Sequence, residues 1–103
     1  MEFIETPLFT SQVLKLLPDD DYAEFQLELA VNPSLGDLIP GGGGIRKVRV
    51  KRPGTGKRGG LRVIYYWLTD DDQILLLLVY AKAKQENLTP AQVDELRALV
   101  KDL

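Results

Sequence analysis

The chain of 103 residues contains neither cysteine nor histidine. Without cysteine, it has no disulfide and no thiolate that binds a metal. Without histidine, it lacks the commonest general base and metal ligand, and every nucleophile that depends on a Ser-His or Cys-His pair. Any catalysis must therefore use carboxylates, tyrosines, lysines or arginines, and we expect no metal and no cofactor.

Long apolar segments are also missing. The longest apolar run, at 74–81, is too short to span a bilayer. Residues 1–9 combine Glu2 and Glu5 with short apolar runs, which is not the pattern of a signal peptide. We therefore expect a cytoplasmic protein with no membrane partner. Its length and its 45% of hydrophobic residues predict one domain over residues 1–103.

Acidic residues are absent from one central stretch, although the net charge of the whole chain is −2. Between Leu38 and Thr69 there are eight basic residues and no acidic one: Arg46, Lys47, Arg49, Lys51, Arg52, Lys57, Arg58 and Arg62. So many uncompensated like charges repel one another unless an anion binds. We therefore favour RNA binding over an exposed strand face that only prevents edge pairing.

The hydrophobic periodicity predicts the order β-α-α-β-β-β-α. The strands are expected at 2–5, 45–50, 61–68 and 73–81. The first helix is expected to be capped by Thr10 or Ser11 and the second to begin at Asp19–Asp21, while Thr89 and Gln92 form a capping box before the last helix. These elements predict an α+β domain with an antiparallel sheet, helices on one face and a basic concave opposite face.

Alternation along the predicted strands sorts the basic residues by face. Lys47, Arg49 and Lys51 share one face of their strand, and Arg62 shares a face with Ile64 and Tyr66 in the next. In the last strand, Tyr80 and Lys82 continue the face of Ile74, Leu76 and Leu78. The pattern thus predicts a surface on which cations bind phosphates and tyrosines stack on unpaired bases.

Two further motifs favour structural interpretations. Residues 54–59 match G-x-G-x-x-G, but a strand follows instead of the helix of a dinucleotide fold, the chain is too short for a kinase, and the Walker A pattern is not met. A hairpin tip is therefore the better interpretation. Asp70–Asp72 lacks the spacing of a calcium loop and is expected to form a turn.

Segments 43–50, 54–66 and 79–82 resemble the core of RelE/HigB-type toxins, and 32–37 with Leu88-Thr89 fit the HigB branch. The resemblance implies the RelE-like fold and a toxin of a type II toxin–antitoxin pair. It implies ribosome-dependent cleavage of mRNA in the A site of the 30S subunit, which inhibits translation. It also implies a cognate antitoxin, expected to be HigA-like with a DNA-binding domain.

The resemblance also suggests roles for individual residues. Lys47 and Arg49 match the family's basic pair, Arg62 matches the arginine that opens the next strand, and Lys82 lies where the family has a functional arginine. The family's catalytic tyrosine falls near Leu88 here, so Tyr80 or Tyr66 remains open as the proton-transfer group.

The implied reaction is a metal-independent attack by the RNA 2′-hydroxyl on the adjacent phosphate. Our hypothesis assigns the base to Lys47, the phosphate to Arg49 and Arg62, and the leaving group or transition state to Lys82. The expected contacts to RNA or the ribosome are Arg46, Lys51, Arg52, Lys57, Arg58, Tyr66 and Lys84.

Two alternatives stay open. One is a ParE-like toxin that inhibits gyrase, and the other is a non-catalytic module that binds RNA or the ribosome. The concentration of lysine and arginine across three strands favours the nuclease.

Overall fold

The computed structural model describes residues 1–52 and 60–103. The elements are β1 (Glu2–Glu5), α1 (Pro7–Leu16), α2 (Asp19–Val31), β2 (Asp37–Leu38), β3 (Arg46–Val50), β4 (Leu61–Leu68), β5 (Gln73–Ala81) and α3 (Pro90–Lys101). The predicted α+β order is confirmed, with the two-residue strand β2 as an addition. Among these residues, no helix is long and apolar enough to cross a membrane.

The observed N-caps of α1 and α3 can be compared with the predicted ones. α3 begins as predicted, because Thr89 accepts a hydrogen bond from the Gln92 N–H while the Gln92 side chain accepts one from the Thr89 N–H. The predicted cap of α1 at Thr10 or Ser11 is wrong. Thr6 caps this helix by accepting a hydrogen bond from the Phe9 N–H at 3.1 Å. Pro7 occupies the first helical position, where an N–H would have no acceptor within the helix.

All five strands form one sheet in the order β1-β5-β4-β3-β2. β3, β4 and β5 pair antiparallel as predicted, but β1 pairs parallel with β5, from Glu2 beside Gln73 to Glu5 beside Leu76. The sheet is therefore mixed and the purely antiparallel prediction is wrong. The parallel pair is possible because a long crossover, containing both α1 and α2, separates β1 from the rest of the sheet.

Helices cover both faces of the sheet, so the prediction of helices on one face is also wrong. On the first face, Phe9, Val13 and Leu17 of α1 and Phe25 and Leu29 of α2 pack against sheet residues such as Val63 and Tyr65. On the second face, Val100 and Leu96 of α3 pack against Ile64 and Leu77. The physical reason is β5, whose apolar side chains point to both sides and need cover on both.

A β-bulge in β5 changes which side chains share a face. Ile64 pairs with Leu78, but Tyr65 pairs with Leu76, so Leu77 is the extra residue. Ile74 and Leu76 therefore face α1 and α2. Leu78 and Tyr80, beyond the bulge, face α3. This corrects the prediction that Tyr80 continues the face of Ile74 and Leu76.

A row of basic residues as the candidate active site

Cross-strand pairing places three of the predicted catalytic residues in one row. Arg49 of β3 lies opposite Arg62 of β4, and Arg62 lies opposite Tyr80 of β5. Lys47 lies two residues before Arg49 on the same face, opposite Ile64. Like charges directly opposite each other destabilise a sheet. The Arg49–Arg62 pair thus places two cations next to each other on the α3 side of the sheet.

Arg62 is a buried cation with an acidic partner. It is 3% exposed, and its Nη1 donates to the Leu61 carbonyl at 3.2 Å. Its Nη2 lies 3.5 Å from Oε1 of Glu86, whose side chain is half exposed. Because a guanidinium stays charged, a partner of this kind is needed to keep it in the interior.

Lys47 is held by a neutral partner. Its Nζ donates to Oδ1 of Asn87 at 2.8 Å. Lys47 and Asn87 both line a groove of 580 Å³ between the segment after β2 and the start of α3. The apolar part of its wall includes Leu38, Leu88 and Val93. Because Lys47 lines this groove, its amine can contact a molecule that binds there.

Tyr80 places a hydroxyl beside Arg62. Its Oη is buried and has no hydrogen-bond partner among residues 1–52 and 60–103. Burial raises the pKa of Tyr80, and the nearby Glu86 carboxylate raises it further, while Arg62 opposes both effects. The hydroxyl therefore keeps its proton at neutral pH and is a potential donor. Tyr66 is half-buried and packs in the same cluster, with its ring against Gly44.

The other predicted contact residues lie in different places. Arg46 donates from Nη1 to the carbonyls of Gly36 at 2.8 Å and Ser34 at 3.4 Å, so its guanidinium is bound to its own chain. Lys51, Lys82 and Lys84 are exposed, and Arg52 is half-buried near the end of α1. Lys57, Arg58 and the glycine motif at 54–59 lie outside the described residues. The roles assigned to all of these residues stay predictions.

The predicted concave basic face is not confirmed, because α3 packs on the same side of the sheet. The acidic residues Asp70 to Asp72 lie in the turn between β4 and β5, as predicted. In the described part of the chain, no group of three or more acidic side chains is arranged to hold a metal ion.

Sequence reasoning missed Glu86 and Asn87, which contact Arg62 and Lys47. Both lie in the polar segment Gln85-Glu86-Asn87 between β5 and the cap of α3. The available signal in the sequence was the position of this polar segment, a few residues after the strand that carries Tyr80. Strand alternation does not apply there, so no face was assigned to them.

Comparisons with known proteins agree with this fold. Residues 19–103 match the family model described as the RelE toxin of the RelE/RelB toxin–antitoxin system. A solved structure of E. coli toxin RelE, a free double variant with two arginines changed to alanine, superimposes with a TM-score of 0.62 and 13% identity. The match covers 99% of this chain and 97% of that one. At this identity the structural likeness concerns the fold, and membership of the HigB branch stays a prediction.

Proposed function

The chain belongs to the RelE toxin family, and on that premise we propose that it is an endoribonuclease that cuts mRNA in the ribosomal A site. Cleavage there breaks the mRNA at the codon that is being read and stops translation. The proposed partners are the ribosome, the mRNA and a cognate antitoxin of the HigA type with a DNA-binding domain.

One observation carries the proposal: the row formed by Arg49, Arg62 and Tyr80 across three strands, with Lys47 beside it. It combines fixed positive charge, a protonated hydroxyl and an amine within a few strand spacings of about 4.8 Å. These are the groups that a phosphoryl transfer from RNA needs when the protein has no histidine.

The proposed reaction forms a bond between the 2′-oxygen and phosphorus and breaks the bond between phosphorus and the 5′-oxygen. Lys47, in its neutral form, takes the proton of the 2′-hydroxyl. Arg49 and Arg62 stabilise the negative charge that develops on the phosphate oxygens. Lys82, exposed just after β5, gives a proton to the departing 5′-oxygen, and the Tyr80 hydroxyl is a further hydrogen-bond donor next to Arg62.

The surrounding basic residues are proposed to bind the RNA backbone or ribosomal RNA. Lys51 is exposed just after β3, and Lys84 is exposed after β5. Contacts of this kind neutralise phosphates and depend strongly on salt. They position the substrate and contribute no chemistry.

The test is cleavage of a defined mRNA on translating ribosomes, with mapping of the new 5′ ends. The wild-type chain is expected to cut within the A-site codon. Lys47→Ala is expected to cut at least about 100-fold more slowly, because a general base contributes at least that factor. Lys15→Ala is the matched control, since Lys15 is an exposed lysine on α1, on the other side of the sheet.

Two results would contradict the proposal. Inhibition of DNA supercoiling by gyrase, with mRNA left intact, would identify a ParE-like toxin. Binding to ribosomes without any cleavage by the wild-type chain would identify a non-catalytic module.

A further inference from the structure

The segment Gln85–Asn87, between β5 and α3, contacts the candidate active site at two points: Glu86 pairs with Arg62, and Asn87 accepts from Lys47. We propose that Asn87 is a positioning residue for Lys47 and that Gln85 anchors it. This inference rests on the proposed nuclease function, because it assigns to Lys47 a position that matters for the reaction.

The contact between Lys47 and Asn87 fixes an otherwise mobile group. A lysine amine ends a flexible four-carbon chain, and holding it in one place costs side-chain entropy. A general base works only within hydrogen-bond reach of the proton it removes. The 2.8 Å bond from Lys47 Nζ to Asn87 Oδ1 restricts the amine to the edge of the groove.

The chemistry of the partner also matters. An amide oxygen accepts a hydrogen bond without adding charge, whereas a carboxylate beside an amine stabilises its charged form. Asn87 therefore orients the amine, and its uncharged oxygen favours the protonated form less than a carboxylate at the same position would.

Gln85 ties Asn87 to the start of α3. Its Nε2 donates to the Asn87 carbonyl at 2.9 Å and to Oε1 of Gln92 at 2.6 Å. Gln92 Oε1 also accepts from the Thr89 N–H at 2.9 Å as part of the capping box. Because α3 itself packs on the sheet through Val100, the position of Asn87 is fixed relative to β3.

Other charged groups line the depressions that Lys47 borders, and they affect any pH dependence. Asp37 of β2 and Asp94 and Arg97 of α3 line the same groove. Arg49 follows Lys47 on β3, and Glu28 of α2 lines a second depression that Lys47 also borders. A change at Asn87 is therefore measured against a fixed background of three acidic and two basic groups.

The experiment measures kcat and KM of mRNA cleavage on programmed ribosomes, and kcat/KM as a function of pH. The Asn87→Ala and Gln85→Ala variants are expected to lower kcat about 10-fold with KM changed less than about 2-fold, because only the geometry of the base is lost. Asn87→Asp, which keeps the shape of the side chain, is expected to move the rising limb of the pH profile up by about one unit.

Gln12→Ala and Asn32→Ala are the matched controls, since both residues lie in or at the end of helices on the opposite face of the sheet. Both are expected to retain the wild-type kcat and pH profile. Thermal unfolding of each variant shows whether it is folded. If an alanine variant is unfolded, the pH profile of Asn87→Asp tests the positioning role of Asn87.

The outcomes separate the inference from the proposed function. If the wild type does not cut mRNA, both the nuclease function and the positioning role of Asn87 are wrong. If the wild type cuts and Lys47→Ala does not, but Asn87→Asp shows the wild-type kcat and pH profile, the positioning role of Asn87 is wrong and the nuclease assignment stands.

Discussion

Replacing Glu86 by glutamine removes the acidic partner of a buried cation. Arg62 is 3% exposed, and Glu86 Oε1 lies 3.5 Å from its Nη2. Arg62 also lies opposite Arg49, which adds repulsion. Since a guanidinium does not deprotonate in proteins, the Glu86→Gln variant must keep a positive charge in the interior without this carboxylate. We therefore expect a loss of stability.

The size of the loss follows from the exposure of the two partners. Removing one partner of a fully buried pair costs about 3–5 kcal/mol, and an exposed pair contributes less than about 1 kcal/mol. Here the Arg62 side chain is 4% exposed and that of Glu86 is 52% exposed, so the pair lies between these limits. Its 3.5 Å separation is also long for a charge-assisted hydrogen bond. We expect a loss of about 1–2 kcal/mol, equivalent to about 5–10 °C in Tm.

The assay is thermal and urea unfolding with and without inorganic phosphate at constant ionic strength. Phosphate is expected to restore the stability of Glu86→Gln more than it raises that of the wild type, because an anion that binds the folded state stabilises it by mass action. Glu95→Gln is the matched control, since Glu95 is an exposed glutamate of α3 with no ion pair among the described residues. If Glu86→Gln unfolds like Glu95→Gln and responds equally to phosphate, the Arg62–Glu86 pair does not stabilise the fold.

Three further predictions concern the tyrosines. Tyr65→Phe is expected to lower the free energy of unfolding, measured in urea, by about 1–3 kcal/mol, because the buried hydroxyl donates to the Pro33 carbonyl at 2.7 Å and accepts from the Gly36 N–H at 2.8 Å. Tyr66→Phe, which removes a hydroxyl from the neighbouring residue, is the control. Equal losses of stability in the two variants would contradict this explanation. Tyr80→Phe is expected to leave that free energy unchanged or higher, since its buried hydroxyl has no partner in the described residues, while mRNA cleavage falls; a stability loss like that of Tyr65→Phe would show that the hydroxyl is paired. Burial raises the pKa of Tyr65 and of Tyr80 above the ordinary 10.0, so these groups do not change the free energy of unfolding with pH below 10 and lower it as the pH rises above 10. The free energy of unfolding should therefore decline less steeply above pH 10 in Tyr65→Phe, and an identical decline would contradict the assignment.

The local signals in the sequence were sufficient for most of the fold. Leu61–Leu68 was predicted to the residue because it is rich in β-branched and aromatic residues, and Gln73–Ala81 because it is a continuous apolar run after a turn. The bulge at Leu77 was not predictable in the same way. It lies in a run of leucines that are apolar on both faces, so a shift of register changes no pattern that the sequence displays.

The candidate site was predictable only where it follows strand geometry. Alternation selected Lys47, Arg49 and Arg62, and the register confirms that they share a face. Glu86 and Asn87 come from a loop whose position depends on the docking of α3 on that face, which is a tertiary contact with no local signal. The same docking explains why the predicted open basic surface was not found.

The difference between the two partners supports the division of roles between the two cations. Arg62 has a carboxylate, which compensates the burial of a group that is always charged and does not change its protonation. Lys47 has an amide, which orients the amine and favours its charged form less than a carboxylate would. A residue that stabilises a phosphate needs a permanent charge, whereas a base has to give up its proton before it acts. The opposite pairing, with an amide on Arg62 and a carboxylate on Lys47, would leave the guanidinium uncompensated and would hold the amine in the form that does not act as a base.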